Sequence, residues 1–206
     1  MSGRQTCLNI SYLCAMQADH SVKEQILETA TRLFQSQGYN QTGINQIIGE
    51  AGIAKASLYY HFPSKEDLGV AYLQRRSEAW FDGLEAFLAD TREPRERLIQ
   101  VFEFRALYME KSDFSGCSFT RILSELPQRG TKLNNQAIAN KERQRIYFQE
   151  LVGQLDFIPD HRKTAVAGTV FLLFNGGTLQ CQIYKEKKPI EEARQAVIDL
   201  LRCNSA

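Results

Sequence analysis

The stretch Gly52-Ile53-Ala54-Lys55-Ala56-Ser57-Leu58-Tyr59-Tyr60-His61-Phe62-Pro63-Ser64-Lys65 reads as a tight turn, one short helix and a stop. Glycine at 52 permits a turn that a side chain would obstruct. Pro63 and Ser64 end the helix, which spans about Lys55 to Phe62. Leu58 and Phe62 are four apart and share the face that, with Ile53, turns toward a core. Lys55, Ala56, Ser57, Tyr59, Tyr60 and His61 are left to the outer faces. That set is rich in groups that bond phosphates or lie on base edges.

Upstream, Ile44, Ile47, Ile48 and Ala51 mark a second short helix from Ile44 to about Ala51, with Thr42 or Gly43 at its cap and Gly52 breaking it. Before it, Ser21 and Glu24 make a capping box. Val22, Ile26, Ala30, Leu33 and Phe34 then line one face of a longer helix until Gly38 stops it. Two short helices joined through a glycine and packed under a longer one have helix-turn-helix geometry, whose second helix enters the DNA major groove.

Downstream, Ser64 with Asp67 signals a fourth helix from Lys65 to about Leu88. Further helices are expected from Pro94 to about Met109, Ser118 to Leu126, Thr131 to about Leu155, Asp160 to about Tyr184 and Pro189 to about Arg202. The expected fold class is therefore all-α, with about nine helices. The expected domains are a disordered N-terminal extension over 1–20, a helix-turn-helix unit over 21–67 and a ligand-binding and dimerisation unit over 68–206. The last two are expected to be joined rigidly through the fourth helix.

The formal net charge of +1 means that DNA binding must come from a local arrangement of donors. Five scattered cysteines, Cys7, Cys14, Cys117, Cys181 and Cys203, form no CxxC pair, which argues against a disulfide framework or a zinc site and fits a reducing compartment. No apolar run has the length of a membrane span, and the first residues lack the pattern of a secretory signal, so a cytoplasmic protein is expected. His20, His61 and His161 lie in different segments, and no GxSxG, HExxH, Walker or dinucleotide-glycine pattern occurs. Neither catalysis, nor a cofactor, nor a metal is expected.

The run from Gly52 to Lys65, with Gly38-Tyr39 and the Thr42 to Ile48 segment, resembles the signature of TetR-family regulators over about Val22 to Leu68. The resemblance implies base-facing roles for Lys55, Ala56 and Tyr59, with Asn45 of the preceding helix within reach. It implies DNA-backbone contacts for Thr42, Ser57, Tyr60, His61 and Lys65. Lysine donates to guanine acceptors, a small alanine fits a thymine methyl, and hydroxyls hold phosphates. Taken without the signature, Tyr59, Tyr60 and His61 would equally suit a packed aromatic cluster. Ala54 and Gly43 depart from the family pattern, which often has hydroxyl side chains there.

The resemblance also implies a homodimer built from the last two long helices, about 160–184 and 189–202, reading palindromic double-stranded operator DNA. Val166 to Ile183 is apolar around much of its circumference and holds Gly168, Gly176 and Gly177, and the last helix adds Ala193, Ala196, Val197, Leu200 and Leu201. Many aromatics between these elements are core, and a cavity among them suits an unknown small-molecule effector. Arg105, Tyr108, Arg121, Asn175 and Gln180 are candidate polar wall groups. Ser115-Gly116-Cys117-Ser118-Phe119 is similar to the Gly-Cys stretch of a subgroup that includes thiol sensors. A thiol at a helix start, with Arg121 near, would have its thiolate favoured; a small buried residue at a tight turn is the structural alternative. Cys181 is a weaker second candidate. The expected function is a repressor released from its operator by a small molecule or thiol-reactive effector. The competing reading is a helical ligand carrier or adaptor without DNA binding.

Overall fold

The computed structural model describes residues 21–126 and 128–204. The extension expected over 1–20 lies outside them. Every regular element among the described residues is helical: α1 (21–36), α2 (Ile44–Ala51), α3 (Lys55–His61), α4 (Lys65–Phe87), α5 (Pro94–Lys111), α6 (Ser118–Glu125), α7 (Lys132–Gly153), α8 (Asp160–Tyr184) and α9 (Lys188–Cys203). Ser21, expected to cap this helix, is itself helical. The chain divides into two compact units, one ending at Tyr72 and the other beginning at Leu73, and α4 supplies residues to both.

In the first unit the periodic apolar positions become the core. Ile26, Ala30, Leu33 and Phe34 of α1 are buried with Ile47, Ala51, Leu58, Phe62 and Leu68. The Phe34 ring lies 5.2 Å from that of Tyr39 and 5.3 Å from that of Tyr72. At the turn, Gly52 adopts φ 64° and ψ 33°, the left-handed conformation that costs a residue with a Cβ roughly 1–2 kcal/mol. Its N–H and that of Ile53 bond back to carbonyls at the end of α2. Gln25 Nε2 donates to Ala51 O at 2.8 Å and ties α1 to the same end. Ser64 Oγ accepts from Asp67 N at 3.0 Å and caps α4.

The second unit is organised around aromatic rings from α4, α5, α7 and α8. Phe148 is fully buried, with its ring 5.0 Å from Phe174 and 6.2 Å from Phe102, and Trp80 lies 6.3 Å from Phe174. Two helix starts in this unit, those of α5 and α7, are capped by side chains. Glu93 accepts from Arg95 N and Glu96 N ahead of Pro94, and Thr131 Oγ1 accepts from Asn134 N.

α8 and α9 pack together because position 177 is glycine: a Cβ there would stand 2.9 Å from Ile190 Cδ1 and 3.1 Å from Ile190 Cα. This revises the reading of the last helix as surface. Ala193, Val197 and Leu201 are buried with Ile190 in the unit's own core, leaving Ala196 exposed and Leu200 half-buried. The outward face of α8 differs. Leu172, Leu179 and Ile183 are 73%, 49% and 58% exposed, and a Cβ at Gly168 or Gly176 would meet nothing. Positions 172, 176, 179 and 183 form one stripe at helical spacing.

Candidate nucleic-acid interface and internal cavity

α3 is held by Leu58 alone within its length and by Phe62 just beyond it. The rest of the helix is therefore free to face outward. Lys55, Ala56 and Tyr59 are exposed, Tyr60 is 76% exposed, and Ser57 and His61 are half-buried. The Tyr60 and His61 rings meet edge-on at 5.0 Å, a local contact between neighbours that leaves the tyrosine in solvent. Asn45 on α2 is exposed as well. Ala54 and Gly43, at the caps of α3 and α2, supply no side-chain cap bond.

Lys65 opens α4 with its Nζ 4.3 Å above the Tyr39 ring. Burial first, then the charges of Glu66 and Asp67, push the Tyr39 phenol up to about 12, so that ring stays neutral beneath the ammonium. Thr42 is the correction. It is fully buried, its hydroxyl donating to Gly38 O at 2.6 Å and accepting from Gln37 Nε2 at 3.2 Å. The turn between α1 and α2 consumes the oxygen that the resemblance assigned to a phosphate. Gln37, not anticipated from the sequence, extends this polar contact to Gln46 Oε1 at 2.7 Å.

A cleft in the second unit holds about 280 Å³ of empty space, part of it open to solvent. Two anticipated wall groups, Arg105 and Tyr108, line it together with Cys117. Asn175 is half-buried, and its amide oxygen accepts from Lys141 rather than facing the cleft. Gln180 is exposed. Arg121 Nε is engaged by Glu125 Oε1 at 3.0 Å and stands outside the lining. Arg76, Trp80 and Gln144 complete much of the wall. Arg76, Lys141 and Gln144 were not anticipated, because polar residues on long helices read as solvent-facing until the packing partner is known.

The loop before α6 sets this wall. Asp113, Phe114 and Gly116 all have positive φ, at 49°, 52° and 83°. The positive φ at Gly116 disfavours any side chain there, and a Cβ would also stand 2.2 Å from Gln182 Oε1, so that amide would have to move aside. Gly116 O accepts from Arg105 Nη2 at 3.2 Å, and Cys117 follows as the N-cap of α6.

Burial alone would push the Cys117 thiol up. Lys141, then Arg105, with the backbone N–H and hydroxyl of Thr120, outweigh burial and hold it below its ordinary value. The cations that favour the thiolate are thus Lys141 and Arg105, in place of the anticipated Arg121. Cys181 is buried and its thiol is pushed up, chiefly by that burial. Among the described residues no cluster of His, Cys, Asp or Glu could hold a metal ion, and no helix is long and apolar enough to cross a membrane.

The sequence model of the bacterial regulatory proteins, tetR family, matches residues 26–72, the segment that forms α1 to α3 and the start of α4. The transcriptional regulator LmrA of Bacillus subtilis is 31% identical over 184 residues, covering 87% of this chain and 96% of the relative. The transcriptional repressor DhaR of a Mycobacterium species is 25% identical over 193 residues, covering 87% and 92%. The crystal structure of SCO4454, a TetR-family regulator from Streptomyces coelicolor, shares the fold with a TM-score of 0.79 at 23% identity, covering 90% of this chain and 96% of that one. These relatives are transcriptional regulators, which gives no support to a carrier, an adaptor or an enzyme. With its outward-facing α3, its all-helical second unit and this likeness along most of its length, the chain belongs to the TetR family of DNA-binding transcriptional regulators.

Proposed function

We propose that this regulator is a homodimeric repressor whose α3 reads a palindromic operator and whose second unit answers a small-molecule or thiol-reactive effector. Residues 21–67 serve as the DNA-reading domain and 68–206 as the ligand-binding and dimerisation domain. The observation that carries the reading is the outward array on α3, where one buried residue anchors a helix whose remaining side chains meet solvent or its edge. Lys55, Ala56 and Tyr59, with Asn45, face base edges. Ser57, Tyr60, His61 and Lys65 hold the sugar-phosphate backbone. The repressor role of the relative DhaR supports repression.

Dimerisation places the exposed stripe of α8, with the outer side of α9, against its two-fold mate, bringing two reading helices to half-sites about 34–36 Å apart or a multiple of it. An effector in the cleft, or reaction at Cys117, favours an arrangement of the dimer in which the fourth helix has swung and that spacing no longer fits.

Operator sites selected from random DNA provide the test. Lys55→Ala and Tyr59→Ala are each expected to weaken the selected site by about 1–3 kcal/mol and to relax base preference. Lys65→Ala is expected to weaken all sequences evenly and to lower the salt slope by about one. Unchanged titrations in all three variants would defeat the assignment. Treating the protein–operator complex with N-ethylmaleimide is expected to release DNA from the parent and to spare Cys117→Ser. Equal release from both would remove Cys117 from the mechanism.

A further inference from the structure

Arg105 is buried and Lys141 half-buried in the second unit, and neither has a carboxylate partner; the acidic group that faces both is the Cys117 thiol. Arg105 is 5% exposed, and its guanidinium bonds two neutral oxygens, Thr178 Oγ1 at 3.2 Å and Gly116 O at 3.2 Å. Lys141 Nζ meets the amide oxygens of Gln144, at 3.1 Å, and of Asn175, and lies 5.0 Å from the Phe171 ring centre. Among the described residues neither has an aspartate or glutamate in ion-pair reach. Burying a charge is costly unless it is paired, and arginine's five-donor fork is shaped for carboxylates. A second and independent observation stands beside it. Trp80, 3% exposed, lines the same cleft, and its indole N–H has no hydrogen-bond acceptor. Such an orphan donor is rare in a native core and calls for an explanation.

We propose that the cleft is a binding site for a small organic carboxylate, whose oxygens bond the Arg105 guanidinium and the Trp80 indole N–H while its apolar body packs on Trp80, Tyr108 and Phe119. The anion brings Arg105 the carboxylate that no side chain supplies, beside the Cys117 thiol, and it gives Trp80 the acceptor that it lacks. Arg76 is already bonded to the Tyr108 hydroxyl and steadies that side of the wall. Lys141, bonded to the lining residue Gln144, adds positive potential from behind. Much of the space in the cleft is open to solvent, so it seats the carboxylate head and leaves a larger body to reach outward. The proposal names the ligand class for the effector site invoked above and rests on that reading for its consequence at the operator, but not for binding itself.

Trp80 is the sole tryptophan of the chain, so its emission reports directly on the site. Full-length protein is titrated with acetate, benzoate and 1-naphthoate at constant ionic strength, each beside its primary amide. At least one acid is expected to give a saturable change in Trp80 emission, with its amide binding about tenfold or more weakly. Arg105→Gln is expected to lose that preference, and Arg105→Lys to keep part of it because the charge remains without the fork. Trp80→Phe, followed by calorimetry, is expected to weaken the acid without unfolding the unit. The proposal is overturned if no acid outbinds its amide, or if a folded Arg105→Gln binds the acid like the parent. A separate operator titration with the bound acid keeps the two readings apart. Binding without DNA release would leave the carboxylate site standing and remove its role as the release trigger.

Discussion

Placing an arginine at Leu179 is expected to turn the dimer into a monomer and to abolish tight operator binding. Leu179 sits midway along the outward stripe formed by Leu172, Gly176, Leu179 and Ile183 on α8. Exposed leucines scattered singly would need no explanation, but four aligned positions ending at a 64% exposed Tyr184 make a continuous apolar strip. In a two-fold interface each substitution occurs twice, so two unpaired charges would be buried near the axis at several kcal/mol each. A monomer meets each half-site independently. The loss of effective concentration is expected to weaken the operator complex by about 10²-fold or more. Multi-angle light scattering measures the mass, and a duplex titration measures the affinity. Glu150→Arg, an exposed change on α7, is the control and is expected to leave both unchanged. A Leu179→Arg protein that remains dimeric would show that the chains meet elsewhere.

Phe148→Ala is expected to have the largest effect on stability. The side chain is fully buried where α5, α7 and α8 converge, with the rings of Phe102, Phe171 and Phe174 at 6.2, 5.7 and 5.0 Å. Truncation removes most of its apolar surface and leaves a cavity that three rings, one fixed on α5 and two on α8, cannot close. The cost is about 3–5 kcal/mol, and the unfolding midpoint is expected to fall by about 6–20 °C. Trp80 emission follows the melt, because that indole stands 6.3 Å from Phe174 in the same cluster. Protein concentration is held fixed, since association shifts the midpoint of a dimer. A midpoint within about 2 °C of the parent would mean that the cluster repacks, and Phe148 would lose its central place.

The two substitutions separate two uses of apolar surface on neighbouring helices. Phe148 is covered within one chain, and its removal acts on folding. Leu179 is left uncovered by its own chain, and its change is expected to act on assembly. Gly177 and Gly176 make the same contrast at adjacent positions: a Cβ at the first would collide with Ile190, while one at the second would meet open space.

The helices were legible in the sequence because their determinants are local. The apolar spacing of Ile26, Ala30, Leu33 and Phe34, the stop at Gly38, the turn at Gly52 and the Ser64 cap act over a few residues each, and the chain adopts them as written. The outer face of α3 was legible for the same reason, since burying Leu58 and Phe62 fixes where Tyr59 and Tyr60 must point.

What the sequence could not determine depends on which distant segments meet. Thr42 looked like a surface hydroxyl and is consumed by the carbonyl of Gly38 in a turn. Ala193, Val197 and Leu201 looked like an interface and instead fill the core behind α8. Arg105 was a candidate wall group and Lys141 was not anticipated, and only tertiary packing buries the first beside Cys117 and Trp80 and half-buries the second behind Gln144. Helical periodicity states which residues share a face, whereas burial, charge compensation and the shape of a cleft are set by the partner that covers that face, and only the folded chain supplies it.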